Sequence, residues 1–235
     1  MKLKFIWKEI MSKFIFVVVG FDQRESVAYH VFCQSVLETS SYPVCFLPLA
    51  VNTLRGFRDN HIDGSNQFTY SRFLTPFLTN FTGWAIYADG DMVCTKDIAD
   101  LWKLRDETKA VQVVKHNYKT KTPFKYLGNK NEDYPRKNWS SLILWNCSHP
   151  ANKVLTGEFI QGKPGSFLHR FSWLEEKEIG ELPIEWNLLA IEYPDNINAN
   201  IIHYTLGTPC FNHYSQSSMS SFWHSAYKRT NHGFD

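Results

Sequence analysis

The fragment of this chain best equipped for chemistry is Trp84 to Val93, WAIYADGDMV. An apolar run delivers Asp89 and Asp91, two positions apart, at the point where the run ends. Two carboxylates held together repel each other, and a divalent cation both removes that cost and gives the pair a purpose. Hard oxygen ligands suit Mg²⁺ or Mn²⁺, and an additional imidazole would shift the choice toward Mn²⁺. Gly90 between them lets the backbone turn tightly and lets a ligand approach closely. A metal held in this way can act as a Lewis acid on a diphosphate, taking up the negative charge that grows as a nucleotide leaves an anomeric carbon. D-x-D strings also occur in plain solvated turns, so the position at the end of a strand is what favours a site.

That position depends on the elements around it. In open α/β sheets, ligands bind outside the C-terminal ends of the strands. FIFVVVG (14–20) is a continuous, β-branched run ending in Gly, as a buried parallel strand should be. A helix is expected from about Val27 to Leu37, capped by Ser26, with Val27, Val31 and Val36 toward the sheet. YPVCFLPL (42–49) reads as the second strand, and GWAIYADGDMV as the third. Between them lie a polar loop over 50–66 and TYSRFLTPFLTNF, a helix broken near Pro76. Further on, IADLWKL is helical after Asp97, VQVVKH (111–116) and WSSLILWN (139–146) are strands, and ANIIHYTLG (199–207) is a short strand and turn. Residues 150–190 read as mostly helical with Gly/Pro breaks. Strand–helix–strand alternation predicts an α/β fold, one Rossmann-like domain with a mostly parallel central sheet over 14–211. Residues 1–13 read as an extension and 212–235 as a tail.

Composition narrows the partners. Hydrophobic residues make up 43% and charged residues 20%, as in a folded protein. A net charge of +2 calls for no nucleic acid. The five cysteines are scattered without a C-x-x-C pair, which argues against a disulfide framework or structural zinc and suits a reducing, cytoplasmic setting. The longest apolar run near the N-terminus, Phe14 to Phe21, is too short to span a bilayer, so no transmembrane segment is expected.

Four fragments together resemble the family-8 glycosyltransferases, the group of glycogenin and the bacterial lipopolysaccharide glucosyl- and galactosyltransferases. FVVVGFDQRES resembles that family's nucleoside-binding start, and YSRFLTPFL its Arg-bearing helix. IYADGDMVCTKDIADLW resembles its D-x-D segment, and IIHYTLGTPCF its C-terminal H-x-x-G-x-x-K-P-W segment. The resemblance implies a GT-A fold and transfer of a hexose from a nucleotide-sugar, with UDP the expected nucleotide. It further implies retention of configuration and a glycan, lipid-linked or protein acceptor. It makes Asp89, Asp91 and His203 the metal ligands. It sets Gly20, Phe21 and Asp22 against the nucleoside, with Arg72, Ala88, Gly90 and Gly207 along the rest of the donor.

One departure stands out within the last fragment. Thr208 precedes Pro209 where the family carries Lys, so a phosphate-contacting cation must come from elsewhere, with Lys228, Arg229 or the basic loop over 117–138 available. Between Lys115 and Lys137 there are seven Lys/Arg against Glu132 and Asp133, either a solvated loop or a patch that steers an anionic acceptor. Trp139, Trp145, Trp173 and Trp186 are candidates for stacking on sugar or for the core. Glu185, beside Glu175 and Glu176 in sequence, is the carboxylate expected to position or deprotonate the acceptor hydroxyl. Asp91, Arg72 and Glu185 are therefore the expected catalytic set. The competing functions are a nucleotide-sugar-binding protein without turnover and a haloacid-dehalogenase-like phosphatase. The phosphatase would need its D-x-D on the first strand.

Overall fold

The apolar run that opens the domain becomes β1 (Ile15–Gly20), and the chain then turns through a short 3-10 segment into α1 (Ser26–Thr39). The structure is a computed structural model that describes residues 13–62 and 64–231. The proposed extension over 1–13 lies, but for Lys13, outside the described residues. β2 (Val44–Leu49) returns parallel to β1 as an edge strand, which is where Pro48 can be tolerated. Pro76 sits in the first turn of the short helix α2 (Thr75–Leu78), so the chain around it forms a 3-10 turn running into helix.

β3 (Trp84–Ala88) pairs parallel with β1 on its other side. Immediately after it, β4 (Met92–Cys94) leaves for a second sheet, and Asp97 caps α3 (Ile98–Lys103) by accepting from the Ala99 amide at 2.9 Å. β5 (Val111–Val113) and β6 (Leu142–Asn146) follow, then α4 (Gly157–Gln161), α5 (Gly165–His169), β7 (Ile179–Glu181), β8 (Leu188–Leu189), β9 (Ile201–His203) and α6 (Ser220–Thr230). The central sheet runs β2-β1-β3-β6-β5-β7, with β6 antiparallel to its neighbours and the other pairings parallel. The mostly parallel sheet expected from the sequence is therefore present. The smaller sheet, β4-β9-β8, shares a continuous core with it, because Met92, Cys94 and Ile201 pack with Ile15, Val17 and Ile86.

Local expectations needed adjustment in four places. Ser26 is the first helical residue rather than the cap. The N-cap position of α1 is Glu25, without a side-chain cap bond, and Asp22 caps the preceding 3-10 turn, its carboxylate accepting from the Arg24 amide at 2.9 Å. Val36 faces the central sheet, whereas Val27 and Val31 pack with α6 and the small sheet. Residues 150–190 hold the short strands β7 and β8 besides helices. The segment set aside as a tail carries α6, which buries Trp223 and Ala226 against α1 and the small sheet.

Candidate metal and donor site

Asp89 and Asp91 occupy the turn that carries the chain from one sheet to the other. The Asp89 amide donates to the Ser141 carbonyl at 2.9 Å, which ties the turn to the start of β6. On the far side, Met92 stands opposite His203 in the antiparallel β4–β9 ladder, and the Tyr204 amide donates to the Asp91 carbonyl at 2.9 Å. This register brings together residues more than a hundred positions apart. Ligand atoms of Asp89, Asp91 and His203 all lie within 4.8 Å of one another, and all three residues are buried.

The two carboxylates have different surroundings. Asp89 is neutralised by Arg72, whose Nη1 lies 3.0 Å from Oδ1, and it accepts from the Tyr87 hydroxyl at 2.6 Å. Burial pushes its carboxyl above the usual range; Arg72 opposes that shift and Asp91 adds to it. Arg72 itself is held through Nε and Nη1. Its Nε donates to the Thr69 carbonyl at 2.9 Å and its Nη1 to the Ser140 carbonyl at 2.9 Å, with the rings of Phe68 and Tyr87 at 5.6 and 5.3 Å.

Asp91 lacks such support. Its Oδ1 is buried and has no hydrogen-bond partner, although His203 Nε2 is only 3.2 Å away. The reason lies behind the imidazole. Asn187 Nδ2 donates to Ser141 Oγ at 2.8 Å, and that hydroxyl donates to the Asn138 carbonyl at 2.7 Å. The chain of donors turns Asn187 Oδ1 toward His203 Nδ1, 3.1 Å away, so Nδ1 carries the proton. His203 Nε2 therefore presents a lone pair to the lone pairs of Asp91. Two acceptors face each other across a gap that a bound cation would make favourable, and a hydrogen-bonded imidazole beside carboxylates is an ordinary transition-metal donor set.

A cavity of about 290 Å³ opens over this group, and Arg72, Asp89, Asp91 and His203 all line it. Its far wall includes α5, where His169 Nδ1 lies 2.7 Å from Ser140 Oγ. Burial, reinforced by Arg72 and Lys125, lowers the pKa of His169 to about 3, so this imidazole is neutral. Lys125 also reaches the cavity, its Nζ donating to Ser65 Oγ at 3.2 Å; burial lowers its pKa, and Asp91 and Asp89 oppose that.

The family model described as Glycosyl transferase family 8 matches residues 22–149. Protein CDI of Arabidopsis thaliana is 39% identical over 216 residues, which cover 88% of this chain and 83% of that protein. This chain belongs to glycosyl transferase family 8. The glycosyltransferase is similar in fold to the apo structure of the WbbM bifunctional glycosyltransferase, with TM-score 0.65 and 13% identity over 94% of this chain. It is also similar to GlyE of Streptococcus pneumoniae TIGR4, with TM-score 0.59 and 16% identity over 92% of this chain. The chain spans 51% of the WbbM chain and 60% of the GlyE chain. LgtC, solved with donor and acceptor sugar analogs, matches with TM-score 0.56 and 12% identity over 94% of this chain and 98% of its own. The architecture is the GT-A arrangement expected from the motifs.

Within this glycosyltransferase the other anticipated residues fall in varied places. Gly20 lies under the Phe68 ring, where a Cβ would meet Cδ2 at 2.5 Å, and Gly90 packs against the Gly20 carbonyl. Phe21 meets Tyr29 edge-on. Both Asp22 oxygens accept from Arg24 or the Gln67 amide, so its carboxylate holds the loop together. Ala88 is buried as the last residue of β3, and Gly207 packs against the Tyr214 ring. None of these six lines the cavity.

Glu185 does not line it either. Its carbonyl accepts from the Asn200 amide at 2.7 Å in the 3-10 turn that leads to β8, and the buried side chains of that turn are Trp186 and Asn187. The tryptophans serve packing, with Trp145 and Trp186 in the core and Trp139 and Trp173 against it. Glu25 went unnoticed in the sequence. It is buried beneath Thr208 Oγ1, which donates to it at 3.0 Å, and burial together with the Asp91 charge raises its pKa to about 8.

Proposed function

We propose that this glycosyltransferase takes a hexose from a UDP-sugar, using Mn²⁺ or Mg²⁺ held by Asp89, Asp91 and His203, and passes it to an acceptor hydroxyl with retained configuration. The observation that carries this reading is the buried, unpartnered Oδ1 of Asp91 facing a bare imidazole nitrogen. When bound, the ion would supply Lewis-acid charge to the leaving diphosphate.

The protein's own residues prepare the rest. Arg72 and Tyr87 pair with Asp89 and orient it despite its burial. Asn187 fixes the His203 tautomer so that a lone pair faces the site. Transfer breaks the bond between the anomeric carbon and the diphosphate oxygen, and the electron pair leaves with the diphosphate. The acceptor oxygen bonds to the anomeric carbon, and its proton passes to the diphosphate or to water. Ser140 and the neutral His169 offer a polar, uncharged wall suited to sugar hydroxyls. The acceptor is a glycan, a lipid-linked sugar or a protein. Five cysteines without a disulfide support a reducing, cytoplasmic setting. Among the described residues no helix is long and apolar enough to cross a membrane.

A screen of UDP-, GDP- and CDP-sugars for slow hydrolysis with Mn²⁺ present tests the proposal without knowledge of the acceptor. Release of UDP from one sugar supports it; metal-independent release, or release from none of the donors, would refute it.

A further inference from the structure

We propose that Lys125 supplies the free cation that meets the donor's diphosphate, in place of the lysine missing beside Pro209. The inference deepens the function proposed above and rests on it. A nucleoside diphosphate remains anionic beside one divalent ion, so a site for it needs a further positive group with N–H donors to spare.

The position where that group would be expected is closed. Thr208 is fully buried, with its hydroxyl turned inward to Glu25 and against Cys210 Sγ. The cations on α6 do not substitute, because neither Lys228 nor Arg229 lines the cavity and Arg229 pairs with Glu38 at 2.7 Å. In the basic loop, Lys115 and Arg136 pair with Glu176, Lys121 donates to the Ile191 carbonyl at 2.6 Å, and Lys137 donates to Asn131 Oδ1 at 2.6 Å. The cavity itself is lined by four cationic side chains, Arg72, Lys125, Lys130 and Arg170. Arg72 is committed to Asp89 and two carbonyls, and Lys130 is 78% exposed beside Glu132. Arg170 closes α5 on the His169 wall, and its Nε is buried without a hydrogen-bond partner.

Lys125 differs from Arg72 and Lys130, which face carboxylates, and from Arg170 in that its loop is fastened to the turn holding Gly207 and Thr208. Among the described residues no carboxylate lies within ion-pairing distance of it. Its ammonium donates to Ser65 Oγ, which leaves two N–H groups for a ligand, and the charges acting on it include Asp91 and Asp89. The backbone explains how a loop residue comes to stand there. Phe124 and Lys130 form an antiparallel bridge, the Lys125 amide donates to the Asn129 carbonyl at 2.9 Å, and the Tyr126 amide donates to the Leu206 carbonyl at 2.7 Å. That last bond fastens the loop at Leu206, two residues before Thr208, the position that would carry the missing lysine. The loop thus delivers an ammonium to the neighbourhood from which the C-terminal segment has withdrawn one.

The test is calorimetric binding of UDP to the full chain in Mn²⁺ buffer, with Lys125→Met, Lys125→Arg and Arg170→Met beside the wild type. Loss of one charge-assisted contact should weaken UDP binding about 10- to 100-fold in Lys125→Met. Lys125→Arg should recover most of that affinity, and Arg170→Met should stay close to wild type. Mn²⁺ binding without nucleotide should be unchanged or tighter in Lys125→Met, because a neighbouring positive charge is gone, and its melting temperature should match the wild type. Unchanged UDP affinity in Lys125→Met, or the main loss appearing in Arg170→Met, would overturn the assignment while leaving the proposed function standing. Joint loss of UDP binding, Mn²⁺ binding and melting temperature in Lys125→Met would also overturn it, because the role would then be structural. A wild type that binds none of UDP, GDP and CDP would overturn the proposed function and the assignment with it.

Discussion

Asp91→Asn should raise the stability of the metal-free enzyme while abolishing transfer, and the opposite signs are what make it informative. In the free protein Asp91 Oδ1 is desolvated without a hydrogen bond, and it lies near Asp89 and the lone pair of His203 Nε2. An unsatisfied buried polar atom costs about 1–3 kcal/mol. The Asn amide can donate to His203 Nε2 across the same 3.2 Å gap, so the substitution removes that cost along with the repulsion from Asp89. In a chain of this length each kcal/mol moves the melting temperature by about 2–4 °C. Asp91→Asn in EDTA should therefore melt on the order of 2–10 °C above the wild type. Added Mn²⁺ should stabilise the wild type and leave the variant almost unmoved, since a ligand stabilises only the state that binds it. Transfer should fall by 10²-fold or more, the rate equivalent of about 2.7 kcal/mol of lost charge stabilisation. Differential scanning calorimetry with and without Mn²⁺, set beside nucleotide release, reads all of these effects. Parallel loss of activity and melting temperature would refute the reasoning and return Asp91 to a structural role.

Three further outcomes follow from the same geometry. Asn187→Ala frees the His203 ring, so Mn²⁺ affinity measured by electron paramagnetic resonance should weaken about 10- to 100-fold with little effect on folding. Arg72→Met leaves Asp89 buried without its counter-charge and should cost about 3–5 kcal/mol in denaturant unfolding, so its main effect falls on stability and not on transfer alone. Glu25 has a folded pKa of about 8 against an ordinary 4.5, so the folded state holds its proton more tightly. Its contribution is full below pH 4.5 and is lost as pH rises toward 8. In EDTA the wild-type melting temperature should fall across that window, whereas Glu25→Gln should show a flatter profile and melt higher at pH 8.5.

Much of the scaffold was legible because buried parallel strands leave long apolar runs, as FIFVVVG and WAIYA do. The acidic pair was visible as chemistry at the end of such a run, and His203 through the motif that holds it. What escaped was set by tertiary contact. β7 and β8, three and two residues long, are too short to show any alternation and exist only through their partners. The helical spacing of Trp223 and Ala226 in α6 is masked by Ser, His and Lys on the other faces. Asn187 carries no local mark of setting a tautomer, because its role depends on Ser141 in β6's approach and on His203 in β9. The resemblance set Asp22 against the nucleoside, and its bonds from Arg24 and the Gln67 amide could not be read from the sequence, because Gln67 lies 45 residues away. Lys125 was one of seven cations in that stretch, and what singles it out is tertiary: its place in the cavity wall and the bond from Tyr126 to Leu206 that fastens its loop.

The most direct test of the central claim is the rate of UDP release from a UDP-sugar by chelator-treated wild-type enzyme as Mn²⁺ is titrated back. Activity should be absent in EDTA and return with saturation at a single metal site, and the His203→Ala variant should fail to recover at the same Mn²⁺ concentration. A rate in EDTA equal to that in saturating Mn²⁺, or full recovery by His203→Ala, would contradict it.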